Sequence, residues 1–480
     1  MKSHRIYLLT ACFLFSCASN AATSVEPSED HTDESTSSVS SEASRSSSSS
    51  SSSSSEAGPR YDRSPLNEPM IGRQYYLNHI GDIYSVWDQY RGDGITIAVI
   101  DRGFDASHEE FAGKIDAESG YYHEVDGQTR FDKGASNLYG DESHGTFCAG
   151  VAAAAVNGKG VAGVAPNAKL MLLKTDGRPR SICAAMRHAA DKGARVISIS
   201  IGAYYGYQGS DDLVDDGSNL ADVFDTSVEY CYNKKVPVIS AGGNSGQSQP
   251  HEYTWPGATP LVIGVGGLAA NSSEEIWSGS SYNSSPEYEF IDVLAPSDMM
   301  YGCCDYGSKY DGGWDGTSFA APQVAGLAAL YFQKNPDASA ADFERDLRAT
   351  CHKMKHSEIA NENQLGSGRV DAGHLLGIAC GAKSVNVKAR SNEQMYCYAY
   401  NVATDTENAP WPGVRMDKTG NDYVCNVATG TYEFVILNNG IENVTRWQSV
   451  DLLVTSFQFG HVYNCNSSTR ELGKVVGNYL

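Results

Sequence analysis

Four short apolar runs, separated by segments rich in small residues, most constrain how this chain can fold. Each run is apolar on both faces, which is typical of strands buried inside a parallel sheet. The runs cover residues 95–100, 196–201, 236–240 and 261–265. Between them, residues such as 149–156 and 182–192 have the composition of helices. This alternation predicts an α/β domain with a mostly parallel sheet, whose functional residues lie at the carboxyl ends of strands.

An acid, an imidazole and a hydroxyl stand at the edges of these predicted elements. Asp101 directly follows the first run, and His144 and Ser318 each precede a predicted helix, over residues 145–155 and 319–332. A serine hydroxyl is a weak nucleophile until a base accepts its proton, and a carboxylate holds that base in the right tautomer. The three residues therefore predict nucleophilic catalysis, provided that the fold brings them together.

Stabilisation of the resulting oxyanion is expected from two donors. The backbone N–H of Ser318 would lie at a helix N-terminus, where amide groups favour developing negative charge. The side-chain amide of Asn244, in a glycine-rich turn after the third apolar run, is the candidate for the second donor. Cys148 follows His144 by one helical turn and is expected to pack beneath the three catalytic groups.

The motifs around these residues resemble those of the subtilisin-like serine proteases, which have the same order of acid, imidazole and hydroxyl. The matching motifs are Asp-Arg-Gly at 101–103, His-Gly-Thr at 144–146 and Gly-Thr-Ser-Phe-Ala-Ala-Pro at 316–322. The resemblance implies a subtilisin-like α/β peptidase domain over residues 66–384, acting on proteins or peptides without a cofactor for its chemistry. The chain departs from the family at Arg102, where serine or aspartate is more common.

The same resemblance implies where substrate and calcium would bind. Ser200, Ile201 and Gly202 resemble the edge segment that pairs with the substrate backbone as an added strand. Residues 176–178 resemble the opposite edge. Family members often hold structural calcium, and an acidic loop at residues 211–216 is a candidate site for it. The alternative is that these carboxylates are only solvated surface charge. The loop contains Asp211, Asp212, Asp215 and Asp216.

Composition and the first residues predict an exported protein. The net charge of −22 argues against nucleic acid as a partner, and twelve cysteines favour an oxidising compartment. Residues 1–21 have the basic start and short apolar run of a signal peptide. Residues 14–17 resemble a lipobox, which predicts a membrane tether through lipid on Cys17. Ordinary cleavage near residues 19–21, which would leave a secreted chain, is the alternative.

Two further segments flank the predicted peptidase domain. Residues 22–65 include ten consecutive serines and are predicted to be a disordered linker, because they cannot bury enough apolar surface to fold. Residues 388–480 lose helical periodicity and are predicted to form a small all-β sandwich module. Cys397 and Cys425 are a candidate disulfide pair within it.

This second module resembles the starch-binding β-sandwich modules appended to amylases, through Trp-Pro-Gly-Val-Arg-Met at 411–416 and the segment 435–440. The resemblance implies that Tyr398, Tyr400 and Trp411 contact a starch-like glucan, because flat aromatic rings suit the apolar faces of sugars. The alternative is that the tyrosines, spaced two apart, point into the core.

Two hypotheses follow from the sequence as a whole. The first is an exported serine endopeptidase that a carbohydrate-binding module directs to starch-like polysaccharide. The second is a cell-surface glycan-adhesion protein in which the peptidase domain is a non-catalytic scaffold.

Overall fold

The structure is a computed structural model of the 480-residue chain. It describes residues 68–81, 83–140, 142–206, 220–249, 252–270, 275–284, 289–354, 359–378, 385–401, 406–409, 411–427, 432, 434–440, 448–449, 452–453, 462–471 and 474–479. The predicted signal peptide, the lipid site at Cys17, the serine-rich linker and the acidic loop at 211–216 lie outside these residues.

Strands and helices alternate through the first part of the chain, as the apolar runs predict. The strands are β1 Thr96–Asp101, β2 Gly120–Val125, β3 Gln128–Lys133, β4 Lys169–Thr175, β5 Val196–Ile199, β6 Ala203–Gly206, β7 Val238–Ala241, β8 Ser248–Gln249, β9 Glu252–Trp255, β10 Val262–Leu268, β11 Tyr282–Asn283, β12 Val293–Pro296, β13 Met300–Cys303 and β14 Tyr310–Trp314. The helices are α1 Tyr76–His79, α2 Ile83–Trp87, α3 Glu142–Ala153, α4 Pro179–Asp191, α5 Leu220–Asn233, α6 Thr317–Lys334, α7 Ala340–Thr350 and α8 Ala372–Leu375.

The main sheet has the strand order β12-β10-β7-β5-β1-β4-β2-β3. Every neighbouring pair in it is parallel except the β2–β3 hairpin. All four apolar runs become strands of this sheet, which confirms the predicted mostly parallel α/β architecture. Because β1 lies in the middle, its carboxyl end at Asp101 is flanked by the ends of β4 and β5.

Helices cover both faces of the sheet. Ile97 and Val99 of β1 point into a core shared with α3 and α6, whereas Ala98 and Ile100 point into the core shared with α4 and α5. This period of two is what strands buried on both faces require. The first sixteen residues of α6 are all buried, so this helix passes through the domain interior.

Two helices begin earlier than the sequence predicts. α3 begins at Glu142 rather than at Gly145, and α6 begins at Thr317 rather than at Phe319. His144 and Ser318 therefore lie inside the first turn of their helices and do not precede them. Glycine has a low helix propensity, but packing of α3 against β1 outweighs that preference.

Beyond residue 384, the described residues form strands and no helix. They are β15 Val385–Arg390, β16 Tyr396–Asn401, β17 Thr406–Glu407, β18 Val414–Arg415, β19 Asp417–Thr419, β20 Asp422–Val427, β21 Phe434–Asn438, β22 Gln448–Ser449, β23 Leu452–Leu453, β24 Val462–Glu471 and β25 Lys474–Tyr479. Their apolar side chains enclose a separate core that includes Ala389, Cys397 and Leu437. None of the helices that the described residues form is long and apolar enough to span a bilayer.

Candidate active site

A buried carboxylate and an imidazole meet at the carboxyl end of β1. Nδ1 of His144 lies 3.0 Å from both carboxylate oxygens of Asp101, which is fully buried, while His144 is 7% exposed. One of these oxygens, Oδ1, also accepts the backbone N–H of Arg102 at 2.8 Å. A carboxylate only accepts hydrogen bonds, so this contact assigns the proton of the neutral imidazole to Nδ1. Nε2 is then the nitrogen that can accept a proton.

Gly145 makes this close approach of helix and strand possible. A Cβ at position 145 would lie 2.2 Å from the carbonyl oxygen of Gly103 and 3.0 Å from Cβ of Asp101. Any larger residue would push α3 away from the end of β1. The Oγ1 of Thr146 also accepts the backbone N–H of Asp105 at 2.8 Å, which ties the helix to the loop after β1.

The hydroxyl of Ser318 lies in the first turn of α6, close to the same place. It donates to the carbonyl oxygen of Ser200 at 3.2 Å, and the Ser200 hydroxyl donates to the Ser318 carbonyl at 2.7 Å. The buried Cys148 thiol donates to the Ser318 carbonyl at 3.4 Å. That sulfur lies within 4.8 Å of ligand atoms of both Asp101 and His144. Cys148 thus packs between the acid–imidazole pair and the serine backbone, as expected.

Aromatic packing also joins α3 to α6. The ring of Phe319 lies 5.8 Å from the ring of His144 and 4.5 Å from that of Phe147, centroid to centroid. All three side chains are buried. The residue after the serine therefore forms one wall beside the imidazole.

Asn244 is anchored to the start of the serine helix. Its Oδ1 accepts the backbone N–H of Thr317 at 3.0 Å and the Thr317 hydroxyl at 2.8 Å. The Oγ1 of Thr317 in turn accepts the N–H of Gly243 at 3.0 Å. With the oxygen of the amide held in this way, its Nδ2 lies on the side of Gly316, 3.5 Å from where a Cβ of that residue would be.

Thr317 and Gly145 are positioning residues that the sequence reasoning missed. Both belong to the quoted motifs, but only contacts across the fold reveal what they do. The sequence did carry a signal for these roles. A glycine inside a motif often marks a close approach of two backbone segments, and a threonine can mark a side-chain hydrogen bond.

The predicted substrate edge lies directly after β5. Ser200 and Ile201 are buried, and Gly202 is half-buried. These residues stand between β5 and β6 and outside any sheet ladder. A segment that pairs with substrate as an added strand must lie outside the existing ladders in this way. Its place beside Ser318 is set by the paired Ser200 hydrogen bonds.

Two carboxyl groups lie near the loop that enters α6. Burial raises the pKa of Asp298 to about 6, with the neighbouring Asp315 carboxyl adding to the rise and hydrogen bonds from backbone N–H groups opposing it. A carboxyl whose pKa is raised by folding stabilises the fold below its unfolded pKa. We therefore expect this contribution to be lost as pH rises from about 4 through about 6.

Among the described residues, one group of three side chains could together hold a metal ion, and calcium does not suit it. That group is Asp101, His144 and Cys148, all buried. Calcium prefers six to eight oxygen ligands, whereas an imidazole and a thiol suit softer metals. Because the acidic loop at 211–216 lies outside the described residues, structural calcium stays a prediction.

In the C-terminal module, the tyrosine row points away from the core. Tyr398 and Tyr400 are half-exposed, while Cys397 and Ala399 between them are fully buried. The inward orientation that the sequence left open is therefore wrong. Trp411, also half-exposed, lies edge-on to Tyr398 with ring centroids 5.4 Å apart.

Neighbouring groups hold this aromatic surface in shape. The rings of Tyr398 and Tyr400 are stacked at 5.6 Å, and the Tyr398 hydroxyl donates to Glu407 Oε2 at 2.6 Å. Tyr400 also stacks on Phe434 at 5.4 Å. Phe434 is fully buried and packs against the guanidinium of Arg369. The surface is thereby connected to the N-terminal domain.

The cysteines proposed to pair in this module are in contact. Cys397 and Cys425 are buried thiols whose side chains hydrogen-bond to each other. The disulfide between them stays a prediction.

Comparison with known proteins agrees with the fold and the motifs. The family model of the subtilase family matches residues 92–373. The chain is 29% identical over 312 residues to thermitase from Thermoactinomyces vulgaris, covering 64% of this chain and 97% of that one. It is 30% identical over 274 residues to subtilisin DY from Bacillus licheniformis, covering 56% and 87% respectively.

A similar solved structure is that of a protease from Pseudoalteromonas arctica, with a TM-score of 0.52 and 25% identity over 65% of this chain and 98% of that one. The family match extends over more than half of the chain and contains the acid, the imidazole and the serine of the site. The chain belongs to the subtilase family and is a subtilisin-like serine endopeptidase.

Proposed function

We propose that Asp101, His144 and Ser318 are the catalytic triad with which this endopeptidase cleaves proteins. The observation that best supports this is the buried contact of His144 Nδ1 with both Asp101 oxygens. Ser318 Oγ attacks the substrate carbonyl while His144 Nε2 takes its proton, and His144 then gives the proton to the leaving amine. Water repeats the sequence on the acyl-enzyme, and no cofactor is required.

Ser318 must change its hydrogen bond before it attacks. In the structure its hydroxyl donates to the Ser200 carbonyl rather than to the imidazole. Catalytic hydrogen bonds often align only in the complex with substrate. A substrate that pairs with residues 200–202 would compete at this edge, and the hydroxyl would then turn to His144 Nε2.

Asn244 is proposed to donate its Nδ2–H to the oxyanion, together with the backbone N–H of Ser318. We expect Asn244→Ala to lower kcat about 10²–10³-fold, the usual cost of losing one such donor. Asn244→Asp is the matched control for anchoring, because it keeps an acceptor for Thr317 but loses the donor.

Both Asn244 variants should lose similar kcat on a chromogenic peptide, while the aspartate variant keeps its melting temperature. An Asn244→Asp enzyme with wild-type kcat would show that the residue only anchors α6.

The C-terminal module is proposed to bind a starch-like glucan through Tyr398, Tyr400 and Trp411. Their outward orientation and mutual ring contacts support this role. A flat, rigid aromatic surface binds sugar faces with little loss of side-chain entropy. Binding would concentrate the peptidase near proteins held in polysaccharide.

Trp411→Ala is expected to weaken binding to insoluble starch about tenfold, since burying an aromatic ring contributes on the order of 1–3 kcal/mol. The measurement is the bound fraction of the full chain over a range of starch concentrations. Trp277→Ala is the matched control, because Trp277 is also half-exposed but lies in the peptidase domain. Equal binding by both variants would exclude Trp411 from the glucan site.

Export is proposed from the basic and apolar residues at the start of the chain. Lipid on Cys17 would tether the enzyme to a membrane, with residues 22–65 as spacer. In an oxidising compartment, a disulfide-bearing oxidoreductase would accept two electrons from Cys397 and Cys425. Their sulfurs would become bonded, and the two thiol protons would be released.

A further inference from the structure

An arginine directly follows the aspartate of the proposed triad. Arg102 is the first residue after β1, and its backbone N–H donates to Asp101 Oδ1. The residue is half-buried, so part of it remains accessible to solvent.

The guanidinium of Arg102 extends over the end of β4. Its Nη1 lies 2.6 Å from where a Cβ of Gly177 would be, and its Cζ lies 3.4 Å from that point. Gly177 has φ of +83°, so both its conformation and this contact favour glycine. Gly177 belongs to residues 176–178, the segment that resembles one of the two substrate-pairing edges. The cation therefore lies against this edge, while its backbone is hydrogen-bonded to the aspartate of the proposed triad.

The carboxylates of the segments that adjoin Arg102 and Gly177 have other partners. Asp176 accepts the backbone N–H groups of Glu124 and Arg178, at 2.9 and 3.1 Å. The Glu124 carboxylate pairs with Arg178 at 3.4 Å. Asp101 holds His144.

Among the residues that the structure describes, the Arg102 guanidinium forms no ion pair or hydrogen bond. The guanidinium of a half-buried arginine carries five donors, and burying any of them is unfavourable unless an anion or water accepts its hydrogen bond. Because the residue adjoins a segment expected to bind peptide, the simplest acceptor for these donors is a carboxylate of the substrate. Guanidinium groups bind carboxylates in a bidentate geometry.

We propose that Arg102 is a specificity residue that selects substrates with an acidic side chain, aspartate or glutamate, close to the scissile bond. This rests on the proposed triad, since it places the selected side chain next to Asp101 and His144. It gives the protease a substrate class: acidic stretches of proteins rather than basic or apolar ones.

The test is a set of peptides that carry Asp, Ala or Lys at each of three positions on either side of the scissile bond. At one of these six peptide positions we expect kcat/KM to be about tenfold higher for Asp than for Lys, which is the size of effect that a charge-assisted hydrogen bond gives. Arg102→Gln should abolish this ratio and Arg102→Glu should invert it. Because partly exposed charges are screened, high salt should reduce it as well.

Arg130→Ala is the matched control for a general loss of positive charge. Arg130 is exposed on β3, next to β2 at the edge of the main sheet, and should keep the wild-type ratio. A wild-type enzyme that cleaves Asp and Lys peptides equally at every position would overturn the proposal. So would an acidic preference that survives in Arg102→Gln.

A binding measurement separates this proposal from the proposed catalytic mechanism. With Ser318→Ala, which binds peptide without turnover, the acidic peptide should bind about tenfold more tightly than its lysine counterpart, and adding Arg102→Gln should remove the difference. Hydrolysis retained in Ser318→Ala, together with a binding preference that Arg102→Gln removes, would contradict the mechanism alone. Hydrolysis abolished by Ser318→Ala, together with equal binding of the acidic and lysine peptides, would contradict the role of Arg102 alone.

Discussion

Replacing Ser318 with alanine is expected to lower kcat for a peptide substrate by about 10⁶-fold, to the level that binding and oxyanion donors give on their own. The hydroxyl is the atom that forms the acyl-enzyme, so no other group in the site can take its place. The neighbouring Cys148 thiol cannot substitute for it, because that sulfur is buried and donates to the Ser318 carbonyl.

The fold should tolerate this change. Among the described residues, the Ser318 hydroxyl donates one hydrogen bond, to the Ser200 carbonyl, and the Ser318 backbone keeps its own hydrogen bonds in alanine. Ser181→Ala is the matched control, since Ser181 is also buried in the first turns of a helix, α4. Hydrolysis of casein by purified Ser318→Ala at the wild-type rate would exclude the proposed triad and favour another nucleophile.

Asp101→Asn is expected to lower kcat about 10⁴-fold with little change in shape. The Arg102 backbone N–H needs an acceptor at Oδ1, so the asparagine amide would place its oxygen there and turn its NH₂ toward His144. Nδ1 would then accept a hydrogen bond, and the imidazole proton would move to Nε2. An Nε2 that carries a proton cannot take one from Ser318.

Asp105→Asn is the matched control for this substitution. Asp105 is a buried carboxylate four residues away, paired with Lys309 at 2.8 Å and outside the site. The Asp105→Asn variant should be less stable than the wild-type enzyme but keep a kcat within a few fold of the wild-type value. The two variants are compared by kcat on one peptide and by melting temperature. A similar kcat for Asp101→Asn and Asp105→Asn would mean that the tautomer of His144 does not limit catalysis.

The aromatic row of the C-terminal module shows how far sequence reasoning reached. Spacing by two established that Tyr398 and Tyr400 share one face of a strand, but not which face. The structure points them outward because Cys397 and Ala399 occupy the core side. Which face is buried depends on the partner strands, and nothing local to residues 396–401 encodes that choice.

Helix boundaries show the same limit. Composition predicts a helix over residues 145–155, whereas α3 begins at Glu142, which places His144 in its first turn. The physical cause is contact with β1, whose end accommodates the helix only because residue 145 has no side chain. Local propensity contributes tenths of a kcal/mol per residue, and such packing outweighs it.

The sequence by itself determined the chemistry available to this protein, because the acid, imidazole, hydroxyl and amide lie within motifs whose order and flanking residues identify the family. It also determined the sheet, since runs that are apolar on both faces must be buried between helices. Only the tertiary structure decided how those groups are oriented. The two 3.0 Å contacts of His144, the anchoring of Asn244 by Thr317, and the placement of the Arg102 guanidinium against Gly177 all depend on residues distant in the chain. Such distances arise from packing of whole elements, which residue order does not specify one contact at a time.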